Sequence, residues 1–268
     1  MMKLEEILAA FGTAGERLTA LGGSQGSAGN LSWFVPEVPD LAEQFTQHEP
    51  FELPVAAPAL AGGAVFVTGS GCRLRDLLID PAASLGVLLI ATDGQHATLC
   101  SAPQRRFRRI TSEVNSHLAV HQDHMARGGV ALALAHSQPF HLTYLSHLPA
   151  YRDPAYLNQR LFRWEPETII VLPEGLGALP YRTPGSLAQV EVTVPGLRAH
   201  RLVIWGQHGV LARAPGSLQG AVDLIEYAEA AAHFEYLDLL AGGQAVGLSA
   251  DELRIVAQAY GVTPTWLD

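Results

Sequence analysis

Two cysteines in 268 residues, Cys72 and Cys100, are too few for a disulfide framework and lack the paired spacing of a thiolate zinc site. That usage fits a reducing cytoplasm. Charge is scarce as well: Asp, Glu, Lys and Arg make up 16 %, and 17 cations against 26 anions leave a net charge of −9. No nucleic-acid partner bound through its phosphates is expected from that sign. The longest apolar runs, Leu85–Ala91 and Val130–Ala135, fall far short of the ~20 residues that cross a bilayer, so no membrane partner is expected either. Acids among residues 1–8 stand where an export signal needs cations. Internal repeats, charge blocks and Pro/Ser linkers are missing, which predicts one domain over residues 1–268. What the chain has is apolar side chain, 48 % of residues, enough for a sizeable core and too much for disorder. Its low charge also suits a surface buried against other subunits.

Apolar spacing over residues 2–22 predicts an amphipathic helix that ends at Gly22-Gly23. Residues 24–32 read as a loop rich in small polar residues, and strands follow at Leu31–Val35 and Ala64–Thr68. Asp40–Gln47 reads as a short helix. Leu85–Ala91 and His96–Cys100 flank an Asp93-Gly94 step, a strong signal for an antiparallel hairpin. Thr111 or Ser112 is the expected N-cap of a helix reaching about Arg127, with Glu113 in its first turn. Ala131–Ala135, Thr168–Leu172 and Arg201–Trp205 read as strands; Tyr156–Trp164, a segment opening at Ser186, Leu218–Leu240 and a segment opening at Ser249 read as helices. The class is α/β: a mixed, mostly antiparallel sheet covered by helices.

Candidate chemistry gathers at strand and helix ends. Gly29, Asn30, Gly69, Ser70, Gly71 and Ser112 lie in loops that can present N–H and hydroxyl donors to an anion, which suits a phosphate monoester. His136 and His208 each end an apolar strand before a polar turn, where imidazole nitrogens can grip a divalent ion. Glu113 serves either the helix dipole or proton transfer beside a cation. His117 and His121, four residues apart, share a helix face that reads as partly solvated.

In chain order, these segments resemble the class II aldolase/adducin family. The resemblance rests on Gly29-Asn30-Leu31-Ser32, Phe66 through Gly71 continuing to Asp80-Pro81-Ala82-Ala83, Thr111-Ser112-Glu113, His136-Ser137-Gln138-Pro139, Leu142-Thr143-Tyr144, Pro173 through Gly177, Pro184-Gly185, His208-Gly209-Val210 and Gly261 through Pro264. Within the family the chain is most similar to members that reversibly cleave L-rhamnulose 1-phosphate into dihydroxyacetone phosphate and L-lactaldehyde. The resemblance implies a zinc homotetramer acting on a phosphorylated ketose: Zn²⁺ on His136 and His208, phosphate on the glycine loops, and Glu113 moving the proton at the three-carbon fragment. The family pattern is His-X-His with a later His. This chain has Gln138 at the second position, so the third ligand is Gln138 or His141. Epimerisation or dehydration of a related phosphosugar, and adducin-like binding without catalysis, are the alternatives that the family leaves open.

Overall fold

The computed structural model describes residues 2–267. Leu4–Ala20 forms α1, with Ile7, Leu8, Phe11 and Leu18 on its buried face, as their spacing predicts. There follow β1 (Asn30–Val35), β2 (Gln47–Glu52), β3 (Ala64–Thr68), the short α2 (Pro81–Ser84), β4 (Leu85–Ile90) and β5 (His96–Ser101). The β4–β5 turn is closed by the Asp93 carboxylate, which accepts from the N–H groups of Gln95 and His96, and by Gly94 at φ 62°. The second half comprises α3 (Val114–Ala126), β6 (Leu132–Ser137), α4 (Phe140–Leu145), α5 (Pro154–Phe162), α6 (Pro166–Val171), β7 (Gly177–Leu179), α7 (Leu187–Ala199), β8 (Leu202–Trp205), β9 (Gly209–Pro215), α8 (Leu218–Leu240) and α9 (Ala250–Ala259). Ser186, Ser217 and Ser249 cap α7, α8 and α9 by accepting first-turn N–H groups.

The strands form one nine-stranded sheet in the order β2-β5-β4-β3-β1-β6-β9-β8-β7. Each neighbouring pair is antiparallel except β7–β8. Strand alternation divides the interior. Leu31, Trp33, Phe66, Ala133, Ala135, Val210 and Ala212 face a core shared with α1 and α8, while Phe34, Val65, Val67, Leu132, Leu134 and Leu211 face the side covered by α3 and α7. Each buried Leu or Phe adds roughly 1.5–3 kcal/mol relative to exposure, so both layers contribute substantially. The second face carries Ser32 and His136, which places the open end of the β1–β6 pair beside the N-terminus of α3.

Three local expectations are corrected. Asp40–Gln47 is not helical: Asp40 Oδ1 accepts from Ala42 N at 3.0 Å to make a turn, Phe45 is buried, and Gln47 already begins β2. Pro50 fits there because β2 is an edge strand. Residues 168–172 lie in and just past α6 rather than in a strand; Pro166 at its first turn starts the helix, and burial of Thr168 and Ile169 overrides their β-branched preference. The cap of α3 lies at Glu113, not Thr111 or Ser112, although Thr111 Oγ1 does accept from Glu113 N at 3.3 Å.

Candidate active site and metal centre

A cavity of about 220 Å³ opens where β1 begins and β3 and β6 end. Antiparallel register brings these ends together: Asn30 pairs with His136, and Ser32 with Val67. Gly29, Asn30, Gly69, Ser70, Gly71, Ser112, Glu113, His136, Gln138 and His208 all line it, together with Pro184. Gly29 has φ +85°, and a Cβ there would lie 2.9 Å from the His136 carbonyl oxygen. Only glycine lets that loop pass so close to β6.

Glu113, 4 % exposed, meets both histidines: Oε2 lies 3.4 Å from His136 Nε2, and Oε1 lies 3.6 Å from His208 Nε2. One ligand atom from each of the three residues lies within 4.8 Å of the others. His136 Nδ1 donates to the Val210 carbonyl at 2.8 Å, which orients the ring so that its Nε2 faces the carboxylate. The β8–β9 turn delivers His208: Gln207, at φ 61°, donates its N–H to Ser146 Oγ, and the His208 ring stacks on Trp205 with a centroid separation of 5.3 Å. Burial, reinforced by nearby His136, lowers the His208 pKa to about 4 against the pull of Glu113. It is therefore neutral at pH 7. Burial raises the Glu113 pKa, but His136, the Asn30 amide, His208 and His117 together hold it below the ordinary carboxylate value.

Two imidazole nitrogens and a buried carboxylate thus converge on one point. A divalent cation answers that arrangement, and an N,N,O donor set suits a borderline ion of the zinc kind. The third donor brought to the two imidazoles is Glu113 itself, which the sequence assigns to the helix dipole or to proton transfer beside a cation. Of the two expected third ligands, Gln138 reaches the cavity wall, whereas His141 is drawn away. Its Nδ1 lies 2.7 Å from Glu229 Oε1, and its ring stacks on His233 at 4.2 Å.

The anion-binding candidates separate by what their groups already do. Gly69 and Ser70 give their N–H groups to the carbonyls of Ser84 and Arg109, and the Asn30 amide is taken by Glu113 and His117. Among the described residues, the N–H groups of Gly29 and Gly71 and the hydroxyls of Ser70 and Ser112 are bonded to no protein acceptor.

His117 and His121 are fully buried, not partly solvated; both ring nitrogens that face β1 lie within 2.8 Å of Ser32 Oγ. Gln189 was missed from sequence, and its Nε2 donates to Glu113 Oε1 at 3.3 Å. The Pro184-Gly185 motif now has a role: Asn115 Nδ2 holds the Gly185 carbonyl at 2.8 Å, and a Cβ on Gly185 would lie 2.5 Å from Ser112 O. That contact presses the loop onto the cavity rim.

The model of the Class II Aldolase and Adducin N-terminal domain matches residues 9–236. The chain belongs to the class II aldolase and adducin family. It is 32 % identical over 216 residues to the rhamnulose-1-phosphate aldolase of Mannheimia succiniciproducens, covering 77 % of this chain and 75 % of that protein. To the rhamnulose-1-phosphate aldolase of Escherichia coli O1:K1 it is 30 % identical over 250 residues, covering 91 % and 89 %. The crystal structure of a sugar-phosphate aldolase from Thermotoga maritima superposes with a TM-score of 0.76 at 23 % identity, covering 91 % of this chain and 99 % of that one. An L-fuculose 1-phosphate aldolase structure gives 0.60 at 21 % identity, covering 97 % and 98 %. These two share the fold. As a class II aldolase the chain is a lyase of a metal-dependent family, and the Glu113, His136 and His208 cluster is its candidate metal centre.

Proposed function

We propose that this class II aldolase reversibly cleaves L-rhamnulose 1-phosphate into dihydroxyacetone phosphate and L-lactaldehyde. The observation that carries the reading is the Glu113 carboxylate, 3.4 Å and 3.6 Å from two imidazole nitrogens, in a cavity that also exposes free anion donors. The relatives named rhamnulose-1-phosphate aldolase, at 30–32 % identity, support the choice of sugar.

Zn²⁺ on His136 and His208, with Gln138 or Glu113 as further donor, would supply a Lewis acid for the carbonyl and hydroxyl oxygens of the ketose. Gly29 and Gly71 N–H groups, with the Ser70 and Ser112 hydroxyls, bind the phosphate. Phosphate held there anchors the substrate at one end, so the scissile bond falls beside Glu113. As that bond breaks, the aldehyde-side hydroxyl gives up its proton and becomes the carbonyl, the electron pair of the bond stays on the three-carbon fragment, and Glu113, having taken up a proton, delivers it to that carbon. In condensation the carboxylate removes it. Asn30 and Gln189 amides hold its two oxygens, and burial keeps bulk water from quenching the carbanion carbon.

A homotetramer is part of the same reading. Phe140, Tyr144, Phe234, Leu237 and Leu240 stand exposed on α4 and α8, an apolar surface suited to subunit contact. Two buried free thiols fit a reducing cytoplasm. No helix among the described residues is long and apolar enough to cross a membrane.

The zinc-reconstituted chain should be assayed for dihydroxyacetone phosphate release over a panel of phosphorylated ketoses, with full product analysis. L-rhamnulose 1-phosphate is expected to give the highest kcat/KM. Preference for another ketose phosphate would reassign the substrate, and epimerised or dehydrated products would reassign the reaction.

A further inference from the structure

Behind the cavity the Asn30 amide continues into a row of buried polar groups, Ser32, His117 and His121, for which the reaction above has no use. The Asn30 amide Nδ2 donates to Glu113 Oε2 at 2.8 Å, and its Oδ1 lies 2.6 Å from His117 Nε2. His117 Nδ1 lies 2.6 Å from Ser32 Oγ, which in turn lies 2.8 Å from His121 Nε2. Ser32, His117 and His121 are all 0 % exposed, and Asn30 is 7 % exposed. β1 supplies two members and α3 the other two, so the row bridges sheet and helix beneath the site.

Donor and acceptor chemistry fixes each proton in this row. A carboxylate oxygen accepts only, so Asn30 must turn its NH₂ to Glu113 and its carbonyl oxygen to His117. That carbonyl also accepts only, so His117 carries its proton on Nε2. Its bare Nδ1 then accepts from the Ser32 hydroxyl. Having given its proton to His117, the hydroxyl accepts from His121 Nε2–H. The row ends at His121 Nδ1, a buried nitrogen without a partner, as it must if that nitrogen carries no proton. Turning the Asn30 amide over would set oxygen against carboxylate oxygen and N–H against N–H. Both contacts would be repulsive in a site from which water is excluded.

We propose that Ser32 and His117 are positioning residues for the reaction: their one-way hydrogen-bonded row locks the Asn30 amide and thereby the orientation of the Glu113 carboxylate. The lock selects Oε2 as the oxygen facing His136, while Gln189 and His208 address Oε1. Removing it leaves the phosphate donors untouched and frees the carboxylate to rotate. This deepens the aldolase reading and rests on it for its kinetic consequence, but the proton positions stand on hydrogen bonding alone.

Two measurements test it. In the zinc-loaded wild-type chain, nitrogen-15 shifts of the imidazoles should report the Nε2–H tautomer at both His117 and His121. An Nδ1–H tautomer at His117 would overturn the proposal, whether or not the chain cleaves any sugar. Ser32→Ala, nearly isosteric within β1, should lower kcat for cleavage about 10- to 100-fold, with KM changed less than about twofold. In that variant the His117 Nδ1 shift should move, as the hydroxyl that donated to it is gone. Wild-type kcat in Ser32→Ala, or a KM rise that matches the kcat loss, would overturn the positioning role. A wild-type chain with no cleavage at all would instead fail the aldolase reading, and the shifts alone would then decide the row.

Discussion

At the scale of single residues the account turns on one carboxylate. Glu113→Gln keeps the shape and one of the two amide contacts, its NH₂ being unable to accept the other, and cannot carry the proton, so kcat should fall by about 10²- to 10⁴-fold. The phosphate donors are unaffected, so calorimetry should find substrate affinity little changed; unaltered turnover would remove Glu113 from the mechanism. Gln138 makes a second test. It lines the cavity and offers only a neutral amide oxygen, whereas imidazole is a far better zinc donor. Gln138→His should tighten zinc binding by on the order of tenfold in a chelator competition. No gain would mean that residue 138 does not address the ion. Glu113, His136 and His208 were legible in sequence because each ends or begins an element beside a distinctive turn. Gln189 was not, because it stands 76 residues from Glu113 and its amide announces no partner. His141 shows the converse: proximity in sequence could not reveal that its Nδ1 would lie 2.7 Å from Glu229 Oε1, on α8.

At the scale of elements, the glycine loops divide by what surrounds them. Gly71 has φ +81° with open space around it, so Gly71→Ala should cost only the ~1–2 kcal/mol of a left-handed alanine. Gly29 has a similar φ, but its Cβ would also lie 2.9 Å from His136 O and 3.0 Å from Leu74 Cδ1. Gly29→Ala should therefore cost about 3 kcal/mol or more and displace β6 from its place beside β1. Urea unfolding of both variants checks this, and equal losses would contradict the close approach described here. The strands that sequence revealed were short continuous apolar runs, buried along their length, or flanked an Asp-Gly turn. β2 escaped because it is an edge strand of mostly polar and exposed residues containing Pro50, β7 because it spans only three residues, and β9 because glycine, arginine and proline interrupt its apolar run. α6 was misread because a Thr-Ile-Ile-Val run resembles a strand when its packing is unseen.

For the whole molecule, buried histidines set the acid limit. Burial lowers the His117 pKa to about 4, with His136 adding to this and Glu113 opposing it; burial also holds His121 well below its usual value. Folded, both stay neutral, whereas unfolded imidazoles take up protons near pH 6.5. From pH 6.5 down to about 4 the unfolded chain binds more protons, so stability falls by about 1 kcal/mol per pH unit for each residue. Denaturation midpoints from pH 7 to 5 should decline accordingly, and a flat profile would contradict neutral burial. Sedimentation should find a tetramer, and a monomer would remove that part of the proposal. The most direct test is anomalous scattering at the zinc edge from crystals of the zinc-loaded chain. A peak within bonding distance of both His136 Nε2 and His208 Nε2, beside Glu113, is the predicted result. Ordered histidines with no peak between them, or zinc bound only elsewhere, would contradict the metal centre.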